Sequence, residues 1–224
     1  MRRGLARGAI AGAVVYGGKR IIASETPLAW WAGRQLAAVG ASEVANASLG
    51  LPILQRIVLP LGPIRIHIDR AGEKKIAARL DLASSIAVIS RASQANTHFA
   101  LDESLATGTI VFLTPDLTNA VGSHSAGVLA ISDFLPDGDF PELERKRGVL
   151  SHEIIHALQY DFTFTAWSDA AQSGIAKRIP GGRQATRFID FNLILPFQLL
   201  GNGLVAHDDR PWEREASSLV KTYR

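Results

Sequence analysis

Apolar and polar residues alternate along the middle of the chain, and this alternation predicts strands. In residues 64–69 every second position is isoleucine, and the positions between them carry Arg, His and Asp, which is the period of a half-buried strand. Similar alternation follows in residues 76–89. Two apolar runs bounded by turn residues, 109–113 and 127–131, complete the set of predicted strands.

Helical spacing of apolar residues flanks this β-rich region. Residues 27–49 have apolar positions loosely on one side and are interrupted at Gly50, which predicts an N-terminal helix. A second helix is predicted to begin near Pro141 and to continue through Phe162, with acidic residues in its first turn. It is apolar on nearly all sides, so we expect it to be buried. Residues 167–187 are polar and contain glycine, which predicts a loop.

The order of these elements predicts an α+β fold. We expect a helical N-terminal extension over residues 1–60 and one domain over residues 61–224, in which a mixed or antiparallel sheet packs on the buried helix. A chain of 224 residues, of which 47% are hydrophobic and 20% charged, is long enough for such a core and has the composition of a globular protein.

The charge of the chain is concentrated near its N terminus. The formal net charge is only +3, which does not indicate nucleic-acid binding. Six of the first forty residues are basic, however, and only Glu25 is acidic. This region predicts either peripheral contact with an anionic membrane surface or an ordinary solvated basic end. The basic residues are Arg2, Arg3, Arg7, Lys19, Arg20 and Arg34.

No segment predicts a membrane-spanning helix. Residues 8–18 are apolar but fall short of the roughly 20 residues that a span needs, although they fit the core of a signal peptide cleaved near Ala23. Residues 189–206 carry too many polar side chains for hydrocarbon. The chain has no cysteine, which fits both a reducing cytoplasm and a bacterial envelope, so both locations stay open.

His152, Glu153 and His156 form a His-Glu-x-x-His motif within the predicted buried helix. Residues four apart lie on the same helical face, so the two imidazoles can bind one metal ion, usually Zn²⁺. Glu153 lies beside that face, where it can take a proton from metal-bound water. Polar side chains in a buried helix need partners, and a metal would supply one. The motif therefore predicts a zinc hydrolase.

A catalytic zinc held by two histidines needs a third protein ligand, and without cysteine this must be a carboxylate or a histidine. Residues 211–216 predict the start of a C-terminal helix whose apolar stripe continues to Tyr223. Helical geometry turns Glu213 toward that stripe and Glu215 toward water. We therefore expect Glu213 to be the third ligand, with Glu215 as the alternative. Other downstream candidates are Asp161, Asp169, His207, Asp208 and Asp209.

These two helices resemble those of the gluzincin branch of the zincin metallopeptidases. Residues 213–216, Glu-Arg-Glu-Ala, are similar to the Glu-x-x-Ala helix that supplies the third ligand in the Ste24/HtpX-type and ImmA/IrrE-type peptidases. The resemblance covers about thirty residues. It implies a zincin-like fold, a peptide or protein substrate, and zinc binding by the first glutamate, Glu213.

The chain departs from these families in two respects. Such families often carry an acidic or amide residue four places after the ligand glutamate, which orients a histidine, and this chain has Ser217 there. The transmembrane helices of the Ste24/HtpX group are also absent from the sequence. We therefore expect the groups that orient the histidines to be built differently.

The expected reaction is hydrolysis of a peptide bond with Glu153 as the general base. His207, six residues before Glu213, is the first candidate for stabilising the oxyanion. Residues 127–132 are the candidate edge strand for pairing with extended substrate, and an ordinary internal strand is the alternative. The alternatives to His207 are Tyr160, Arg210 and Tyr223.

Two other functions are compatible with the same motif. The zinc could be structural or bind a partner in a non-proteolytic envelope or membrane-associated factor, with the apolar segments around Trp30 and residues 191–204 as docking surfaces. Glu153 argues against this, because a structural site does not need a general base. A deformylase-like hydrolase uses a similar helical motif, but that resemblance implies a cysteine ligand. The sequence predicts no oligomeric state.

Overall fold

The computed structural model describes residues 2–115, 117, 121–133, 141–191 and 210–220. Within these ranges the chain forms seven helices and two four-stranded sheets, which confirms the predicted α+β class, although the strands form two sheets where one was predicted. Judged by length and hydropathy, none of the helices in these ranges could cross a bilayer.

Two antiparallel helices form the N-terminal part, of which the second confirms the helix predicted over residues 27–49. Helix α1 spans Arg2–Ile22 and α2 spans Pro27–Ser48. Glycines let their backbones approach closely: a Cβ atom at Gly18 would lie 2.5 Å from the carbonyl oxygen of Gly33, and one at Gly33 would lie 2.6 Å from that of Gly18. Only glycine fits at these two positions without separating the helices.

The first sheet has the strand order β1-β2-β3-β8. The strand predicted from the alternating isoleucines is confirmed as β2, whereas the alternation after residue 76 continues as a strand only to Asp81. The carboxylate of Asp81 accepts hydrogen bonds from the backbone N–H groups of Ala83 and Ser84, and this cap starts helix α3, Leu82–Ala92. The strands are β1 Arg56–Leu61, β2 Ile64–Asp69, β3 Ile76–Asp81 and β8 Ile189–Asp190.

The second sheet is mixed and has the order β4-β5-β7-β6, with β5 parallel to β7 and the other pairs antiparallel. The prediction that residues 127–132 form an edge strand is wrong, because β7 lies between β5 and β6. Among the described strands, β6 occupies that edge. The strands are β4 His98–Phe99, β5 Val111–Thr114, β6 Gly122–Ser125 and β7 Val128–Ser132, and the short helix α4 spans Leu101–Thr107.

Helix α5 spans Glu142–Arg178 and is the longest described element. The prediction of a loop from residue 167 is wrong, since the helix ends only at Arg178, before Pro180 and a left-handed Gly181. Lys177 and Arg178 in its last turn complement the helix dipole. Helix α6, Gly182–Ala185, and helix α7, Pro211–Leu219, follow.

The main core surrounds α5, which confirms that this helix is buried. Its apolar side chains pack with those of β7 and α7 in one cluster. That cluster includes Leu129, Ile131, Leu150, Ile154, Ile155, Leu158, Ala216 and Val220.

The N-terminal helices also pack on α5. The indole N–H of Trp30 donates to the hydroxyl of Ser151 over 2.8 Å, and that hydroxyl is 3.4 Å from the carbonyl of Ile22. The domain boundary predicted after residue 60 falls inside β1, and the division into two regions stays a prediction.

Candidate metal centre

Three predicted ligands converge between α5 and α7. His152 and His156 lie one turn apart on α5, and Glu213 lies in the first turn of α7, after Pro211 has set the helical backbone. The Oε2 atom of Glu213 is 3.3 Å from His152 Nε2 and 3.0 Å from His156 Nε2, and the two imidazole nitrogens are 3.1 Å apart. In the described part of the chain, this is the group of histidine and acidic residues whose donor atoms could share one metal ion.

The three donor atoms, His152 Nε2, His156 Nε2 and Glu213 Oε2, form a triangle whose size fits a tetrahedral zinc ion. Zinc bonds of about 2.0–2.2 Å at tetrahedral angles place neighbouring ligand atoms about 3.3–3.6 Å apart. The three distances of 3.0, 3.1 and 3.3 Å are within a few tenths of an ångström of that range. Two imidazoles and one carboxylate also leave a fourth position for water or substrate, as catalytic zinc sites do.

The charges around these three donor atoms favour a positive charge on or next to the His156 imidazole. Burial alone would lower the pKa of His156, but its hydrogen bond to Glu213 and the charges of Glu153 and Glu213 outweigh burial and raise that pKa above 6.5. A proton and a metal ion therefore compete for the same Nε2 lone pair.

Gln159, one turn beyond His156, contacts the other side of that imidazole. Its Oε1 atom is 2.8 Å from His156 Nδ1. Its Nε2 atom donates to Glu215 Oε2 over 2.8 Å and to the backbone carbonyl of Trp212 over 3.1 Å. Gln159 thus joins the metal-binding face of α5 to the first turns of α7.

Glu215 does not join this group of donor atoms and is instead paired with α1. Lys19 Nζ is 2.5 Å from Glu215 Oε1. Burial would raise the pKa of Glu215, but hydrogen bonds from Lys19 and Gln159 outweigh it and lower that pKa, which keeps the carboxylate ionised. The structure therefore groups Glu213, and not Glu215, with the two histidines.

Glu153 belongs to α5, and its side chain is buried where this helix faces the edge strand β6. A Cβ atom added to Gly122 would be 2.8 Å from Glu153 Oε1 and 2.7 Å from a methyl carbon of Val149. The glycine therefore leaves the space that the glutamate occupies. Burial lowers the pKa of Arg91, and the negative charge of Glu153 only partly offsets this effect. The guanidinium of Arg91 also donates a hydrogen bond to the hydroxyl of Ser123 on β6.

His124 of β6 lies beside His156 of α5. Its Nε2 atom accepts a hydrogen bond from the backbone N–H of Gly127 over 2.8 Å, and its ring stacks near His156 with centroids 6.3 Å apart. Burial, followed by the charge of His156, lowers the pKa of His124 to about 3, so this imidazole is neutral at ordinary pH. His124 could not be predicted from the sequence, because the residues of β6 show no apolar alternation.

The remaining predicted candidates divide into two groups. Asp161 is buried against Arg34 and Arg65 and does not join the ligand cluster, and the Tyr160 hydroxyl donates to Asp81. Arg210 immediately precedes α7, where its backbone carbonyl accepts from the N–H of Arg214, and its proposed role stays a prediction. The others lie outside the described side chains, so their proposed roles also stay predictions. These are His207, the first candidate for the oxyanion, with Asp169, Asp208, Asp209 and Tyr223.

Whole-chain comparisons add no relative to this local geometry. No known protein family, no curated protein and no solved structure matches the chain. The resemblance to gluzincins therefore depends on the motif residues and on the positions that the structure gives them.

Proposed function

We propose that this protein is a zinc-dependent peptidase in which His152, His156 and Glu213 hold the metal and Glu153 is the general base. The observation that carries the proposal is the triangle of donor atoms between α5 and α7, 3.0–3.3 Å on each side, with the buried Glu153 next to His152 on α5. Among the described residues this cluster offers three protein ligands, whereas a purely structural zinc site has four.

The proposed mechanism assigns a proton transfer to Glu153. When bound, Zn²⁺ acts as a Lewis acid toward water and the substrate carbonyl. A carboxylate oxygen of Glu153 accepts the proton of the attacking water and then delivers it to the leaving amine. Burial of Glu153 against Gly122 restricts the carboxylate to the side of α5 that faces β6, and this positions the base before substrate binds.

An extended peptide is the substrate that the neighbouring sheet supports. Strand β6 pairs with β7 on one side, and no described strand covers its other side. A free strand edge can add an extended peptide through backbone hydrogen bonds. Since β6 also contacts Glu153 through Gly122, a peptide on this edge would have its scissile bond near the base.

Peptide hydrolysis by the zinc-loaded protein tests the proposal. We expect cleavage of an unstructured protein such as casein, lost on chelation and restored by zinc. Glu153→Gln should lower kcat at least about 100-fold while zinc content is unchanged, and Glu142→Gln at the exposed start of α5 is the matched control. Zinc binding without hydrolysis of any peptide in a diverse library would contradict the peptidase proposal and favour the non-proteolytic alternative.

Peripheral membrane contact is a second, separate proposal for α1. This helix has five basic residues and no acidic residue, and Leu5, Ile10 and Tyr16 are each more than half exposed. Exposed apolar side chains next to basic ones are typical of helices that lie on anionic bilayers. Sedimentation with phosphatidylserine vesicles should exceed that with phosphatidylcholine vesicles and should fall in Leu5→Ser/Ile10→Ser; equal sedimentation in all three cases would contradict it.

A further inference from the structure

A chain of polar contacts connects the proposed metal site to the N-terminal helix. It runs from Lys19 on α1 to Glu215 on α7, then to Gln159 and finally to His156 on α5. Each step is 2.5–2.8 Å long. Three separate helices thus contribute to the environment of one imidazole.

The contacts of Gln159 fix the orientation of its side-chain amide. Its nitrogen faces two groups that only accept hydrogen bonds, the carbonyl of Trp212 and the carboxylate of Glu215. If the amide were turned over, its oxygen would face both acceptors and two hydrogen bonds would be lost. The oxygen must therefore point at His156.

This orientation determines where His156 carries its proton. An amide oxygen only accepts, so the Nδ1 atom of His156 must donate the 2.8 Å hydrogen bond. In the neutral imidazole the lone pair is then on Nε2, the atom that faces His152 and Glu213. That is the tautomer a metal ligand at this position needs.

We infer that Gln159 is a positioning residue for zinc, and that Glu215 and Lys19 act through it by holding its amide. The inference rests on the proposed metal site. Gln159 would then be the group that orients a ligand histidine. In the peptidases that the motif resembles, this group often comes from the C-terminal helix, at the position where this chain has Ser217. Zinc affinity is consequently sensitive to a residue of α1 that contacts no ligand.

Zinc dissociation constants, measured by competition with a fluorescent chelator, test the inference. Gln159→Leu removes the acceptor and should weaken zinc binding about 10- to 100-fold. Gln159→Glu keeps an acceptor for the Nδ1 proton and should bind zinc more tightly than Gln159→Leu. Gln184→Leu, at an exposed position of α6, is the matched control and should leave the constant unchanged.

A spectroscopic readout separates positioning from packing. In the zinc-loaded protein, the Nδ1 proton of His156 is protected by its bond to Gln159 and should give a downfield proton NMR signal coupled to the imidazole nitrogen. Gln159→Leu should lose this signal by exchange with water. Retention of both the signal and the wild-type dissociation constant in this variant would overturn the inference.

Lys19→Met tests the distant end of the contact chain without changing α5. We expect weaker zinc binding than in the wild type, by a smaller factor than in Gln159→Leu, because the Lys19–Glu215 pair is partly exposed. An unchanged constant in Lys19→Met would remove α1 from the inference even if Gln159→Leu failed to fold. Failure of the wild type to bind zinc at all would instead contradict the metal site itself.

Discussion

Helix α5 carries two clusters of buried polar side chains, and the two differ in how their charges are paired. The first is the group formed by His152 and His156 with Glu213. The second begins one turn later, where Asp161 contacts Arg34 from α2 and Arg65 from β2. Both lie at the junction of several elements, but the second pairs carboxylates with guanidinium groups, whereas the first brings one carboxylate next to two imidazoles.

In the second cluster each carboxylate lies against a guanidinium group. Arg65 bridges Asp161 and Asp81, with its Nη2 atom 2.7 Å from Asp81 Oδ2, and Arg34 Nη2 is 3.0 Å from Asp161 Oδ2. Burial would raise the pKa of Asp161, but the charges of Arg34 and Arg65 outweigh burial and lower it. The positive charges of the two arginines thus balance the negative charges of the two aspartates within the protein.

The first cluster consists of two imidazole nitrogens and one carboxylate oxygen, each 3.0–3.3 Å from the others. A neutral imidazole nitrogen and a carboxylate oxygen 3.0 Å apart both present lone pairs, so a proton or a metal ion must lie between them. We therefore expect the second cluster (the arginine cluster) to stabilise the fold, and the facing lone pairs of the first (the histidine cluster) support the proposal that it binds a metal ion.

The largest effect is expected for the ligands themselves. His156→Ala and Glu213→Ala should each reduce zinc content from about one ion per chain to almost none, because two remaining ligands bind zinc weakly. Elemental analysis after dialysis measures this. His98→Ala, an exposed histidine on β4, should retain the metal; equal loss in that variant would point to a different site.

Removing an arginine from the arginine cluster should lower the free energy of unfolding and should not act through metal binding. Arg65→Met leaves Asp81 and Asp161 buried without their shared partner, and we expect a loss of about 3–5 kcal/mol in the free energy of unfolding. Urea denaturation of the metal-free protein measures it, with exposed Arg187→Met as the control. A loss no larger than that of the control would mean that this cluster does not stabilise the fold.

A smaller effect on catalysis is expected at the contact between β6 and the base. Gly122→Ala places a methyl group 2.8 Å from Glu153 Oε1, so the carboxylate must move. We expect kcat to fall about 10- to 100-fold with zinc content unchanged. Gly12→Ala, which meets no atom within 4 Å, is the matched control. Wild-type kcat in Gly122→Ala would show that the base does not depend on this contact.

The smallest effect is a difference in acid sensitivity. The pKa of Asp161 is lowered in the folded protein below its ordinary value of 3.8, so its contribution to stability is present above that pH and is lost as the pH falls through the folded pKa. Asp161→Asn should therefore show a shallower decline in unfolding free energy below about pH 4. Exposed Asp133→Asn serves as the control. Identical slopes in all three proteins would contradict the assignment.

The helices of the site could be predicted because local rules determine them. The spacing of His152 and His156 places them on one helical face, and Pro211 together with the apolar stripe predicted α7 and the inward direction of Glu213. Gln159 was also accessible to the same reasoning, because it lies three residues after His156 and therefore near the same face.

Features that depend on tertiary pairing could not be predicted. Lys19 and Glu215 are 196 residues apart, and nothing in either segment indicates the other. Strand β6, with the sequence Gly-Ser-His-Ser, has no apolar alternation and is a strand because it pairs with β7. The start of α3 could not be predicted, because apolar and polar residues still alternate after Asp81, whereas the cap formed by Asp81 begins a helix there.

The central claim is that one zinc ion is held between α5 and α7, and anomalous X-ray diffraction at the zinc edge tests it most directly. Crystals grown with zinc should show one strong peak about 2.0–2.2 Å from His152 Nε2, His156 Nε2 and a carboxylate oxygen of Glu213. A map with no peak among these three residues, or with the zinc bound by other side chains, would contradict the account.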